Sequence, residues 1–269
     1  MNSGRTDVAH LVWRSFCHDR LVEIFSALIA GAFIGSVLGF VGAGGAMLSV
    51  PILVYFFGFA PQHASTAALA VVFAAAAAGV IPKLRVHHVL IREALTIWSL
   101  GLVTNVGGAW ISHRLSDGAL LTGFSLVLIG AGSSMLMRSI KGQEKRIPFA
   151  VLTLVSLAIG LMTGLFGIGG GFLAIPVLVL FFHTPQSKAV GTSLLIIAIN
   201  SLTAFLAHQS IWHEINWNIP VAMAISAIAV TATASHHHAR VSPTALRHAF
   251  AFLLFAVAGF TLIQTYFFA

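Results

Sequence analysis

Apolar residues along this 269-residue chain come in long, nearly unbroken runs. They span about 23–40, 46–58, 64–82, 92–113 and 118–138, then 148–166, 170–183, 188–208, 217–235 and 244–268. A helix rises about 1.5 Å per residue, so roughly 20 apolar residues cross about 30 Å of hydrocarbon. Several runs are near that length. Runs 46–58 and 170–183 are too short to cross unaided. Each is expected to be one arm of a broken or re-entrant element, which membranes tolerate only where it is buried in protein or lines a cavity. The runs do not alternate, so a transmembrane β-barrel is not expected. The pattern predicts an all-α, polytopic transmembrane helical bundle. Residues 1–22 form a polar lead-in, amphipathic or poorly ordered. Residues 23–138 and 148–269 are two transmembrane repeats, and 139–147 is the polar linker between them. The first apolar run has no obvious small-x-small cleavage site after it and is read as retained.

The two halves repeat one another. Gly35, Gly39, Gly42, Gly44 and Gly45 map onto Gly160, Gly164, Gly167, Gly169 and Gly170 at a constant offset. Pro51 maps onto Pro176, and Phe56-Phe57 onto Phe181-Phe182. After a local slip at Pro61-Gln62 and Pro185-Gln186, Ala64 and Leu69 meet Ala189 and Leu194 back in register. Each half holds an odd number of apolar runs, so the second copy is expected to be inverted. Glycine- and proline-interrupted segments at matching places in two inverted halves point to a transporter's binding site.

Composition strengthens the membrane reading. Charged residues make up 8% of the chain and apolar residues 58%, with a mean hydropathy of +0.96. Soluble domains hold roughly 25% charged residues. The net charge of +7 does not indicate nucleic acid, because the basic residues sit in short loops between apolar runs. Loops 82–92, 138–147 and 235–247 carry Lys83, Arg85, Arg92, Arg138, Lys141, Lys145, Arg146, Arg240 and Arg247. Loops 112–118 and 208–217 carry only Arg114. An inverted arrangement puts the basic loops on one side, which is expected to be cytoplasmic. Both termini then lie outside, against the pull of the arginines near the N-terminus.

Candidate chemistry gathers at the glycines. The pairs Gly35/Gly39 and Gly160/Gly164 have the spacing of close helix approach. The denser clusters, Gly42, Gly44 and Gly45 with Gly167, Gly169, Gly170 and Gly171, disfavour helix by about 1 kcal/mol per residue and predict a turn. Where a helix restarts beyond such a turn, bare N–H groups and the helix dipole suit an anion. The stretches after the short arms add Gln62 and Thr66 in the first half and Gln186, Lys188, Gly191, Thr192 and Ser193 in the second. Their hydroxyls suit an oxyanion or merely cap a helix. Lys188 is a substrate counter-charge or a side chain snorkelling to the interface. Asn105 and Asn200, inside apolar runs, are read as interhelical hydrogen-bonding groups. His236-His237-His238 lack carboxylate or cysteine neighbours for a zinc set and are read as a wet loop. No catalytic dyad, metal set, nucleotide motif or cofactor motif is seen, so neither an enzyme nor a cofactor is expected. A single cysteine leaves the redox compartment unread.

These motifs resemble the TauE/SafE sulfite exporter family of membrane permeases. The resemblance rests on the paired Gly-x-Gly-Gly motifs, on Pro51 and Pro176, and on Gly191-Thr192-Ser193-Leu194. It covers about 23–268. It implies an inverted-repeat carrier in the bacterial cytoplasmic membrane, moving sulfite, organosulfonates or related small anions. The partners it implies are that anion and the lipid bilayer; a homo-oligomer is compatible with it. Ala67-Ala68 depart from the Thr-Ser usual there in the family, which weakens the first half's share of the site. The expected function is a probable exporter working by alternating access, its anion held between the two glycine breaks. The alternatives are an anion channel and a carrier for another small organic anion.

Overall fold

The structure is a computed structural model that describes residues 4–42, 45–136, 149–167, 174, 178, 186–237 and 243–267. Every regular element among them is helical. The first helix, α1, is Gly4–Val41, and a short α2, Gly45–Pro51, runs into a π turn at Ile52–Phe56. Then come α3 (Pro61–Arg85), α4 (Ile91–Ser112), α5 (Asp117–Leu136) and α6 (Phe149–Phe166). The last three are α7 (Gln186–Ala207), α8 (Asn218–His237) and α9 (Pro243–Phe267), with a 3₁₀ turn at Gln209–Glu214 between α7 and α8.

Helix α1 runs unbroken for 38 residues from Gly4, through the polar lead-in. Run 46–58 is α2 with its π turn; Pro51 has no N–H to donate, so the ladder widens there. Of run 170–183, only Ala174 and Leu178 are described, both buried. Five helices are long and apolar enough to cross a membrane: Arg20–Val41, Pro61–Arg85, Ile91–Ser112, Lys188–Ala207 and Asn218–Ser235. Buried residues make up 67% of the α3 and α7 spans but only 33–39% of the other three. So α3 and α7 form the centre.

Packing follows the small residues. A Cβ on Gly35 would come within 2.6 Å of the Ala227 carbonyl, and one on Gly39 within 2.6 Å of the Ala234 methyl, so α1 lies directly on α8. A Cβ on Gly160 would strike the Gly101 carbonyl, and one on Gly164 would lie 2.8 Å from the Ala109 nitrogen, so α6 lies on α4. The close-approach spacing read from the sequence is met at all four glycines. Hydroxyls tie both pairs: Thr231 donates to the Gly35 carbonyl at 3.0 Å and Thr104 to the Leu157 carbonyl at 2.7 Å. Ala234 and Ala109 stand at the same repeat offset as Gly39 and Gly164, so the two helix pairs correspond with the halves exchanged. At the centre, Gly79 lies against Leu194 and Lys83 against Gly191, which makes α3 and α7 antiparallel.

Candidate functional site

Helices α1 and α6 both end on a glycine that no other residue would suit. Gly42 has φ +70° and Gly167 has φ +69°, the left-handed region. Each amide closes on the carbonyl four residues back, Gly42 on Leu38 at 2.8 Å and Gly167 on Thr163 at 3.0 Å. This is the single-bond left-handed helix cap. Each turn also leans on the opposite half. A Cβ on Gly42 would lie 2.5 Å from the Val190 side chain on α7, and one on Gly167 would lie 2.6 Å from the Ser65 carbonyl on α3. Val190 and Ser65 are equivalent positions in the register set by Ala64 and Ala189.

The turns lie at opposite ends of the α3–α7 pair. Gly167 sits at Ser65, near the start of α3. Gly42 sits at Val190, near the start of α7 and beside the end of α3. From Ser65 to Lys83 the axis of α3 rises about 27 Å.

The remaining candidates divide between these ends. Gly45 opens α2, and a Cβ there would press on Ile34 and Leu38. Gly191 lies against the His88 carbonyl, and the Thr192 hydroxyl accepts from the Leu90 amide at 2.9 Å, so both hold α7 against the turn between α3 and α4. Thr192 donates its proton to the Lys188 carbonyl at 2.7 Å, and Ser193 donates to the Gly42 carbonyl at 2.9 Å. Lys188 itself is half-buried on the first turn of α7, which Gln186 begins. At the other end, Gln62 donates its amide to the Leu115 carbonyl at 3.3 Å, and Thr66 donates to the Gln62 carbonyl at 3.1 Å. Gly44, Gly169, Gly170 and Gly171 lie outside the described residues.

The hydroxyl protons of Thr66, Thr192 and Ser193 are thus engaged with carbonyls. At the Gly167 turn the Ser65 hydroxyl is buried and has no partner among the described residues. Sequence reasoning did not single it out. It also assigned Lys83 to a loop. Lys83 instead continues the buried face of α3 after Val72, Ala76 and Val80, and is only 9% exposed. The helical spacing of those residues was the signal for it. Lys83 forms no ion pair among the described residues. Its stem lies against Gly191, in the second turn of α7.

At the opposite end, His208 is buried. Its Nδ1–H donates to the Ala204 carbonyl at 2.7 Å, and its Nε2 lies 3.1 Å from the Ser112 hydroxyl. Burial, and to a smaller degree neighbouring His113, pushes its pKa down to about 4, against the pull of the Ala204 carbonyl. Burial also lowers the pKa of His113, whose ring centre is 5.0 Å from that of His208. Nearby, His63 meets Glu214 at 3.0 Å. An open groove between α5 and α9, lined by Gly118, Thr122, Gly123, Thr265 and Tyr266, is walled by none of the candidate residues.

A probable membrane transporter protein of Xylella fastidiosa is 29% identical over 207 residues, covering 74% of this chain and 78% of its own length. Probable membrane transporter proteins of Bacillus subtilis and Methanocaldococcus jannaschii are each 25% identical, covering 73% and 82% of this chain and 81% and 88% of their own. No solved structure matches. The family described as "Sulfite exporter TauE/SafE" matches residues 27–261. The chain is a multi-pass membrane protein that belongs to the TauE/SafE family of membrane transporters.

Proposed function

We propose that this protein carries a small sulfur oxyanion, sulfite or an organosulfonate, across the bacterial cytoplasmic membrane by alternating access, as an exporter. Its halves act as inverted copies, and the anion is held between the two glycine turns. The observation that carries this reading is the matched pair of left-handed turns at Gly42 and Gly167, each seated on the other half's central helix. A rocking motion of one half against the other then opens one turn while closing the other. Lys83 and the first turn of α7 supply positive potential at the basic end, and the Ser65 hydroxyl supplies a donor at the other. The family description supports sulfite and export. The bias of basic loops supports placing the α3–α4 turn in the cytoplasm.

Labelled sulfite efflux from proteoliposomes tests this reading. The wild type is expected to give saturable efflux that small sulfonates inhibit. Gly167→Ala, assayed per folded protein, is expected to lower it about tenfold. Full efflux in that variant removes the turn from the account.

A further inference from the structure

Between the two glycine turns, α4 and α7 each bury one asparagine. Asn105 is 0% and Asn200 1% exposed, and each is the fifteenth residue of a 22-residue helix. The Asn105 Nδ2 lies 3.0 Å from the Asn200 backbone carbonyl and 3.3 Å from Asn200 Oδ1. Both neighbours are acceptors only, which fixes the nitrogen of Asn105 on that side and the oxygen of Asn200 facing it. Among the described residues two groups are left over: Asn105 Oδ1 has no donor, and Asn200 Nδ2 has no acceptor. They flank one contact, on the two amides that make it.

A structural brace does not account for this pair. The stronger tie runs from Asn105 to a backbone carbonyl that any residue at position 200 would supply. The Asn200 amide adds only the longer contact, yet it buries a donor that goes unmet. A buried polar group without a partner is costly, more so in the interior of a membrane protein. The pair offers donors and an acceptor side by side, and no charge. That chemistry suits a monoanion bearing both a bare oxygen and a hydroxyl. The amide N–H groups meet the oxygen, and Asn105 Oδ1 accepts from the hydroxyl. A second negative charge would find nothing here to offset its desolvation.

We propose that Asn105 and Asn200 form the mid-path binding site of the transport route and select the monoprotonated form of a small oxyanion, such as hydrogensulfite. This rests on the transport reading above, for which it names the seat between the turns. Position 200 lies about 15 Å along α7 from Val190 and about 12 Å from His208, between the two ends of the path.

The test is thermal stabilisation of purified wild type, Asn200→Leu and Asn200→Ser by sulfite and by methanesulfonate, which has no hydroxyl. Sulfite is expected to stabilise the wild type at lower concentration than methanesulfonate. Both variants are expected to melt no lower than wild type without ligand, since the brace to the backbone survives. Their sulfite affinity is expected to fall about 10- to 100-fold, the scale of one lost hydrogen bond to a charged group. Undiminished sulfite binding in both variants, or equal wild-type affinity for the two anions, overturns the site while leaving the carrier reading in place. Failure of every anion to stabilise the wild type overturns both.

Discussion

At Gly42 and Gly167 an added methyl meets two obstacles at once. The left-handed conformation costs a residue with a Cβ about 1–2 kcal/mol. The Cβ would also press on Val190 or on the Ser65 backbone. Gly42→Ala and Gly167→Ala are therefore expected to lower the melting temperature in detergent. Gly107→Ala, where a Cβ meets nothing within 4 Å, should leave it unchanged or raise it, since alanine favours helix by about 1 kcal/mol. Titration is expected to act through His208. Folded, it takes up a proton only near pH 4; unfolded, near 6.5. The unfolded chain therefore binds the proton first. This group's contribution to stability is full above pH 6.5 and declines as pH falls toward 4. Melting temperatures measured from pH 8 to 4 should drop over that window, and His208→Gln should flatten the drop. The left-handed backbone at Gly42 and Gly167 falls at glycines that the sequence singled out, because backbone geometry restricts which residue can stand there. Ser65 was not legible, because whether a hydroxyl is already engaged depends on neighbours distant in the chain; Lys83 was missed although its helical spacing after Val72, Ala76 and Val80 carried the signal.

Among the elements, the glycine spacing on α1 and α6 announced close packing but not the partners. Nothing local in Gly160 or Gly164 says that α4 will lie against them. The same limit applied to Asn105 and Asn200. Their position inside apolar runs predicted an interhelical hydrogen bond, and one is present. That it leaves an acceptor and a donor unmet is a matter of three-dimensional geometry. The α4–α6 contact gives a further expectation. Gly160→Leu would drive a side chain into the Gly101 backbone and part the helices, whereas Gly130→Leu, with open space around it, would not. The first should lose monodisperse protein in size-exclusion chromatography and the second should not. Overpacking at such sites costs about 1–3 kcal/mol or more.

Over the whole molecule, each half completes the other. The α1 turn rests on α7, the α6 turn rests on α3, and the pairs α1–α8 and α4–α6 cross between the halves. The apolar runs made the helical, multi-span architecture legible. The distance between the turns was not legible. A repeat shows that two elements are alike, not how far apart they lie, and the turns stand at opposite ends of α3 with a polar pair between them. The proposed path, gated at both ends, predicts a carrier. The measurement that tests this most directly is counterflow of labelled sulfite in proteoliposomes holding unlabelled sulfite inside. The account predicts transient accumulation of label above equilibrium, saturating with outside sulfite. Label that only equilibrates, at a rate proportional to concentration without saturation, would contradict it.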